Sequence, residues 1–214
     1  MKLRVFVVRH GETAYSRERR FAGSRDIPLS ETGIAQCEAV AQRLAATVPA
    51  AVYASPLERA RASAEIIAKP HHLAVTVEAA FSEMAFGPWE GLTRDEVEAR
   101  FPGAYRTWRS VPHELRLDGV ETLMDVAGRV GRGLEELRDG RAGQTLVLVT
   151  HAIVARLLVL DALGLGPDRL WSVDASPGGI SEIEYEPGWA TIHRMNTLSH
   201  LPASWGPGAD GDRA

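Results

Sequence analysis

The sequence predicts a single α/β domain, built on a mainly parallel β-sheet that is covered by helices on both faces. Short β-branched runs alternate with longer segments of helical period, and this alternation is typical of strand–helix–strand units. The length of 214 residues suits one domain, and neither an internal repeat nor a linker divides the chain. Two further strand-like segments near the C-terminus predict a hairpin at one edge of this sheet.

Three strands and two helices are predicted in the N-terminal third of the chain. Residues 3–8 form a β-branched and aromatic run typical of a buried strand, and residues 51–54 and 75–77 give two shorter strands. Ser30 is a predicted N-cap for a helix that places on one face Ile34, Cys37, Val40, Ala41 and Leu44. Ser55-Pro56 predicts the start of a second helix, with proline at its first position.

The central part of the chain is predicted to be irregular. Residues 81–113 contain prolines, glycines and two tryptophans, and we expect an excursion from the sheet with one short helix at residues 93–100. Beyond it we expect a helix at 120–138, a buried strand at 145–150, a helix at 153–163 that ends at Gly164, and the edge hairpin at 180–185 and 190–195. The domain is expected to span residues 1–201, and the Gly-, Pro- and Asp-rich residues 202–214 to form a disordered tail.

The net charge and the cysteine content limit which binding partners and which cellular compartment are expected. A formal net charge of −4 gives no general attraction for nucleic acid or anionic membranes, so an anionic ligand needs a local cluster of cations. No run approaches the ~20 apolar residues of a membrane span, and the N-terminal apolar run is too short for a signal peptide. The single cysteine, Cys37, occupies an apolar helical position, which predicts core packing and fits a reducing compartment. We therefore expect a cytoplasmic protein.

Polar residues follow three of the predicted strands. Arg9 and His10 follow the first strand, a segment with Arg59 follows the second, and His151 follows the strand at 145–150. Ligands of open α/β sheets bind beyond the carboxyl ends of the strands, so these side chains are expected to converge. A lone histidine after a strand is more often structural than catalytic, and it is the repetition at three strand ends that favours a site.

Two arginines and two histidines around one point suit a tetrahedral oxyanion such as phosphate. Arginine binds phosphate bidentately and stays charged, whereas a neutral imidazole can act as a nucleophile and a protonated one can stabilise negative charge. No Gly-x-x-x-x-Gly-Lys-Ser/Thr loop is present to cradle a nucleoside triphosphate. The other histidines show no zinc-like spacing with cysteine or carboxylate, so neither a metal ion nor a cofactor is predicted.

An ordered set of motifs gives a resemblance to a known family. The set runs from residues 7–13 (VVRHGET) through 26–30 (DIPLS), 55–60 (SPLERA), Glu83 with 87–91 (GPWEG) and 119–122 (GVET) to Thr150 and His151. Together these motifs resemble those of the histidine phosphatase superfamily, also called phosphoglycerate mutase-like. The match spans residues 3 to about 185.

The resemblance implies a catalytic role for five residues. His10 attacks phosphorus and carries the phosphoryl group, whose oxygens are clamped by Arg9, Arg59 and His151. Glu83 protonates the leaving oxygen and then activates the water that hydrolyses the phosphohistidine. Without the resemblance, a carboxylate in an irregular loop such as Glu83 would be interpreted as solvated.

Substrate contacts are predicted in the loop after His10 and directly after His151, where this sequence departs from the family pattern. Ser16 stands where relatives often have Asn, Ala22 where Gln is common, and Ala152 where a Gly is frequent. The predicted substrate-binding set is Ser16, Arg17, Phe21, Ala22, Gly23 and Ala152, and the mouth of the pocket is expected to add Arg20, Arg25, Trp89 and Trp108. Arginines there either bind a second anionic group of the substrate or are solvated surface residues.

The predicted function is a phosphatase that acts on a small phosphomonoester, such as a sugar phosphate or a phosphoglycerate. Mutases of the family carry a long, water-excluding insertion between the acid–base glutamate and the second histidine, and the segment between Glu83 and His151 is short. The alternatives are a cofactor-dependent phosphoglycerate mutase and a phosphoprotein-binding or phosphoprotein phosphatase module on the same fold. Because His10, Glu83 and His151 are all present, catalysis is favoured over binding alone. For the oligomeric state, a homodimer is an alternative to a monomer.

Overall fold

A computed structural model describes residues 2–205 of the 214-residue chain. Within this range six strands form one sheet: β1 (Leu3–Arg9), β2 (Ala51–Ala54), β3 (Val75–Val77), β4 (Thr145–Thr150), β5 (Ile180–Glu186) and β6 (Trp189–Thr197). Seven α-helices accompany them: α1 (Ala14–Arg17), α2 (Glu31–Leu44), α3 (Glu58–Ala68), α4 (Arg94–Arg100), α5 (Pro102–Ser110), α6 (Leu123–Gly140) and α7 (Ala152–Ala162). None of the helices in residues 2–205 combines the length and the hydrophobicity that crossing a membrane requires.

The sheet is parallel in its first four positions and ends in an antiparallel hairpin. The strand order is β3-β2-β4-β1-β5-β6, in which β2 pairs in parallel with β3 and β4, and β1 in parallel with β4. β5 runs antiparallel to both β1 and β6, which confirms the predicted edge hairpin. Arg9 is in register with Thr150, and Ala54 with Val149, so three parallel strands end at the same edge of the sheet.

Helices cover both faces of the sheet, as predicted. Side chains alternate between the two faces along each central strand, so apolar side chains lie on both faces and both are covered. On one face, α2 and α3 pack against the strands through Phe6, Val8, Val52, Val147 and Val149. On the other face, α6, α7 and the excursion between β3 and α6 pack against Val5, Val7, Leu146 and Leu148. Both faces of β1 and β4 are therefore buried, and the two strands form a rigid support for the residues that follow them.

Helix α2 begins where the sequence predicts, but one of its predicted core residues lies outside. The Ser30 hydroxyl accepts a hydrogen bond from the Gly33 amide at 3.0 Å, which is the expected N-cap. Cys37, Val40, Ala41 and Leu44 are buried as predicted, whereas Ile34 is exposed. The buried face turns away from Ile34 because the chain packs tightly against Gly33: a Cβ atom there would lie 2.0 Å from the Glu12 carbonyl oxygen.

Helix α3 begins two residues later than predicted, because a distant side chain caps it. Pro56 precedes the helix instead of opening it, and the Glu58 amide donates to the Asp26 carboxylate at 2.8 Å. Helix α6 also starts late, at Leu123, because Thr122 supplies its N-cap by accepting from the Asp125 amide. In both cases the cap, rather than the hydrophobic pattern, sets the first residue.

The excursion contains two helices rather than the predicted one. α4 matches the predicted helix and starts at a capping box formed by Thr93 and Glu96, while α5 follows directly with Pro102 at its first turn. Trp89 and Trp108 are fully buried, with ring centroids 6.2 and 5.3 Å from that of Phe86 and 6.4 Å from each other. The prediction that these tryptophans lie at the pocket mouth is therefore wrong, because they form the core of the excursion.

Of the tail predicted to be disordered, only the beginning is described. Ala203–Trp205 forms a single 3-10 turn. Residues 206–214 lie outside the described residues, so most of that prediction is not tested.

Candidate active site

A cavity opens at the edge where β1, β2 and β4 end. It is lined by Arg9, His10, Thr13, Ser16, Arg19, Arg20, Phe21, Ala22, Gly23, Arg59, Glu83, Phe86, Arg94, Ala152 and Ile153. Four of the five predicted catalytic residues are in this set, and the fifth, His151, packs its ring edge-to-face on His10 at a centroid separation of 5.1 Å. The predicted convergence of the strand ends is thus present in the structure.

His10 is buried, and its ring is held in one tautomer. Its Nδ1 lies 2.7 Å from the Gly11 carbonyl oxygen, which can only accept, so Nδ1 carries the proton and Nε2 keeps its lone pair. Nε2 in turn accepts from Arg59 Nε at 3.3 Å. Burial, and then the charges of Arg59 and Arg9, hold the pKa of His10 well below its usual range. The imidazole is therefore neutral near pH 7, as a nitrogen nucleophile must be.

The backbone after His10 is fixed by side chains of α2 and α3. The Gly11 amide donates to the Ser63 hydroxyl at 3.1 Å, and the Glu12 amide to the Gln36 side chain at 2.8 Å. Gly11 is required by packing, since a Cβ atom there would lie 2.3 Å from the Gly33 carbonyl oxygen. These contacts hold His10 in place against the sheet.

Two buried arginines flank His10 from different elements. Arg59, on α3, donates to the Arg25 carbonyl at 2.7 Å and to the Gly23 carbonyl at 2.8 Å, in addition to His10. Arg9, the last residue of β1, donates to the Ala175 carbonyl at 2.6 Å. Both guanidinium groups are thus anchored to backbone oxygens while they line the cavity.

His151 is held by a serine that the sequence analysis treated only as a helix start. Its Nε2 lies 2.7 Å from the hydroxyl of Ser55, which is fully buried and follows β2. Nδ1 of His151 is buried without a hydrogen-bond partner among residues 2–205. Burial and the nearby Arg59 charge hold the pKa of His151 well below its usual range, so this imidazole is also neutral in the ligand-free site. The signal for Ser55 was present in the motif at residues 55–60.

Glu83 sits in the cavity wall next to the N-terminus of α7. Its carboxylate accepts from the Met84 amide at 2.9 Å and from the Ile153 amide at 3.4 Å. Its removal from bulk water raises its pKa, and this effect outweighs the opposing effects of the hydrogen bond from the Met84 amide and of the Arg59 charge. A raised pKa favours the protonated carboxyl group, which is the form that an acid–base residue needs in order to donate a proton.

The segment that carries Glu83 is held by Arg129, a residue of α6 that the sequence analysis did not identify. Its guanidinium donates to the carbonyls of Ala80, Ser82 and Glu83 at 2.6 to 3.1 Å, and forms an ion pair with Glu121. No sequence signal marked it, because an arginine within a helix is usually solvated.

The predicted substrate-binding residues divide into two groups. Phe21, Ala22, Gly23 and Ala152 line the cavity, and so does Ser16, although its hydroxyl donates to the Thr13 carbonyl at 3.0 Å as part of a capping box. Arg17 does not line the cavity: it is exposed and lies 3.9 Å from the Glu12 carboxylate. Of the arginines expected at the mouth, Arg20 lines the cavity. Arg25 does not line it, but its carbonyl accepts the hydrogen bond from Arg59.

The fold and the site define an α/β protein in which arginines and histidines surround a cavity at the carboxyl edge of a sheet, a set of side chains suited to an oxyanion. Comparison with known proteins agrees. A model of the histidine phosphatase superfamily (branch 1) matches residues 5–198, so the chain belongs to this family. It is a phosphatase, because relatives aligned over nearly the whole chain are named phosphatases.

Two relatives and one solved structure illustrate the similarity. Phosphoserine phosphatase 1 of Hydrogenobacter thermophilus is 32% identical over 199 residues, which cover 93% of this chain and 94% of that protein. Glucosyl-3-phosphoglycerate phosphatase of Mycolicibacterium vanbaalenii is 32% identical over 220 aligned positions, covering 98% and 90%. The structure of YhfR from Bacillus stearothermophilus superimposes with a TM-score of 0.88 at 29% identity, covering 94% of this chain and 100% of that one.

Proposed function

We propose that this phosphatase hydrolyses a small phosphomonoester in two steps, with the phosphoryl group carried on Nε2 of His10. The observation that supports this most directly is the fixed tautomer of His10, whose lone pair is on the nitrogen beside Arg59. Anchored arginines and the buried His151 are suited to bind the phosphoryl oxygens.

In the first step, the Nε2 lone pair of His10 attacks phosphorus while the bond from phosphorus to the alcohol oxygen breaks. The departing oxygen takes the bonding electrons and a proton from Glu83, and the alcohol leaves. The raised pKa of Glu83 supports this assignment, because burial favours the protonated carboxyl group, which is the form that donates the proton.

In the second step, the Glu83 carboxylate takes a proton from a water molecule that attacks the phosphohistidine. The phosphorus–nitrogen bond breaks, its electrons return to Nε2, and inorganic phosphate leaves. The sum of the two steps is one phosphomonoester and one water giving one alcohol and one phosphate. Arg9 and Arg59 offset the negative charge on the oxygens and His151 can donate a hydrogen bond to them, so the proposal needs no metal ion.

Trapping of the intermediate tests this proposal. Labelled substrate quenched at short times should leave acid-labile phosphate on the wild-type chain and none on His10→Ala. A matched control is His193→Ala, which changes a half-exposed histidine on the edge strand β6. Label that persists in His10→Ala would overturn the assignment, and a chelator should leave the rate unchanged.

Measuring inorganic phosphate and alcohol in parallel separates hydrolysis from mutase chemistry. A phosphatase releases one inorganic phosphate for each alcohol formed, whereas a mutase returns the phosphoryl group to a second hydroxyl and releases little phosphate. We expect stoichiometric release with every monoester that is turned over. A phosphoprotein-binding module would release none.

The setting of the enzyme is also part of the proposal. We propose a cytoplasmic enzyme, which the single buried Cys37 supports, since a chain with one cysteine needs no oxidising compartment. Nucleic acid is not proposed as a partner, because the formal net charge is −4. A homodimer stays an alternative to a monomer.

A further inference from the structure

We propose that Arg19 and Arg94 form a second anion-binding subsite, which selects phosphomonoesters whose alcohol part carries a further negative charge. The inference rests on the phosphatase function proposed above, because the subsite holds the part of the same substrate that leaves as the alcohol. Neither residue belongs to the set predicted from the sequence.

Both residues line the cavity that contains His10 and Glu83, but they come from different elements. Arg19 follows the short helix α1, and Arg94 is the first residue of α4 in the excursion. Among the described residues that line the cavity, one carboxylate faces five arginines: Arg9, Arg19, Arg20, Arg59 and Arg94. A phosphoryl group bound between Arg9 and Arg59 leaves positive charge at the mouth of the cavity.

The arginines at the mouth are not equivalent. Arg20 is balanced by carboxylates, since its Nε donates to Glu18 at 2.7 Å and its Nη1 to Glu96 at 3.2 Å. It also donates to the Gly91 carbonyl at 2.8 Å, so it ties the loop to the excursion. Arg19 is exposed and forms no ion pair with any carboxylate of residues 2–205. Its charge is therefore directed to the solvent-filled mouth rather than to a neighbour.

The backbone of Arg19 supports a role in the cavity rather than in the turn. Arg19 has a φ of 56°, in the left-handed region that glycine adopts freely and that an arginine adopts only with strain. The turn itself would be more stable with glycine at this position. Strained residues of this kind concentrate at ligand sites, and an arginine held there places a long cationic side chain at the cavity mouth.

The chemistry of the guanidinium defines the ligand. Its planar donors match a carboxylate or a phosphate, so the alcohol part of the substrate carries one of these groups close to the ester. Esters with a neutral alcohol bind only through the phosphoryl group. The subsite therefore acts on the choice of substrate and leaves the chemical step to His10 and Glu83.

The test compares two esters that differ only in the second anion. D-3-Phosphoglycerate and glycerol 3-phosphate differ by a carboxylate in place of a hydroxymethyl group, and we expect the wild-type kcat/KM to favour the first by about a hundredfold, roughly tenfold for each arginine. Arg19→Gly, which relieves the backbone strain and keeps the fold, should reduce this ratio by about tenfold through KM, and adding Arg94→Ala should bring it near one. Loss of one charge-assisted hydrogen bond produces changes of this size.

A matched control and a second pair of esters complete the experiment. Arg61→Ala removes an exposed arginine of α3 outside the cavity and should leave the ratio unchanged. If fructose 1,6-bisphosphate is favoured over fructose 6-phosphate more strongly than phosphoglycerate over glycerol phosphate, the anion is a phosphate, and the subsite stands. A wild-type ratio near one for both pairs, or an unchanged ratio in the double variant, overturns the subsite. Failure to hydrolyse any ester, p-nitrophenyl phosphate included, would instead overturn the proposed function.

Discussion

Replacing Arg59 by alanine removes a guanidinium that contacts three separate groups of the site. Its Nε donates to the nucleophilic nitrogen of His10, and its two terminal nitrogens donate to the carbonyls of Gly23 and Arg25. Three of its five N–H groups are used in this way, and the remaining two can donate to phosphoryl oxygens. The substitution therefore has a catalytic effect and a structural effect of separate origin.

The size of each effect follows from these contacts. Loss of one charged donor to a transferring group typically costs ~10²–10³ in rate, so we expect kcat/KM to fall by about that factor. Each lost hydrogen bond from a charged donor costs ~1.5–3 kcal/mol. Because water reaches the loop at Arg25, we expect the free energy of unfolding to fall by about 2–4 kcal/mol, or roughly 5–15 °C in Tm.

The assay is kcat/KM for p-nitrophenyl phosphate at 25 °C as a function of pH, together with thermal unfolding. Removing the Arg59 charge raises the pKa of His10, since that charge is one of its depressing causes. The acid limb of kcat/KM should then move to higher pH, which partial unfolding alone does not produce. Arg61→Ala, two positions away on the exposed face of α3, is the control. A loss below threefold in kcat/KM, or a fixed acid limb, would refute this account of Arg59.

Two other predictions concern the titrating groups. If Glu83 is the proton donor, Glu83→Gln should lower kcat/KM for an alkyl phosphate at least tenfold more than for p-nitrophenyl phosphate, because the p-nitrophenolate leaving group needs little protonation. The amount of trapped phosphohistidine should also rise in this variant. An equal loss of kcat/KM on both esters would count against Glu83 as the proton donor. The pKa values of His10 and His151 are depressed in the folded state, so the unfolded chain binds more protons, and the free energy of unfolding should fall as pH drops below about 6.5, by up to ~1.4 kcal/mol per pH unit for each histidine. The raised pKa of Glu83 acts in the opposite direction at lower pH. Denaturant titrations at pH 5 and 7 of wild type and His151→Gln should show a flatter dependence in the variant, and an equal slope would contradict the prediction.

The fold class could be predicted from the sequence because the signals for strands, helices and turns are local. Alternating strands and helices, the N-cap Ser30 and the turn at residues 186–189 can each be predicted from a few neighbouring residues. The strand order was not readable, because pairing of β4 between β1 and β2 joins segments about 90 residues or more apart. The start of α3 was wrong for a related reason: its cap is Asp26, which lies 32 residues before Glu58.

The site residues were likewise predictable where local sequence places them and not where distant contacts do. His10, Arg59 and His151 follow strands, so the rule for parallel sheets placed them together. The loop after His10 was less predictable, since Arg17 and Arg19 are two positions apart but only Arg19 lines the cavity. The left-handed backbone at Arg19 redirects the chain there, and an arginine gives no sequence signal for a positive φ. Trp89 and Trp108 were misplaced because amphipathic rings occur both in pocket mouths and in cores.

Arginines in this site act on the backbone as well as on charge. Arg9 donates to the Ala175 carbonyl, Arg59 to the loop at residues 23–25, and Arg129 to the segment of Glu83. Each therefore fixes a different loop at the carboxyl edge of the sheet. The motifs reveal arginines for their charge, but the carbonyls they bind become visible only when distant loops are placed in space.

Because Arg59 supplies both charge and backbone contacts, lysine is not expected to replace it. A lysine keeps the charge but has three donors on one nitrogen, so it cannot hold two carbonyls and a phosphoryl oxygen in a fixed plane. Arg59→Lys should therefore retain more stability than Arg59→Ala while recovering little of kcat/KM, because positioning and charge come from the same guanidinium. Recovery of most of the rate by lysine would show that charge alone is needed and that the carbonyl contacts of Arg59 serve only the fold.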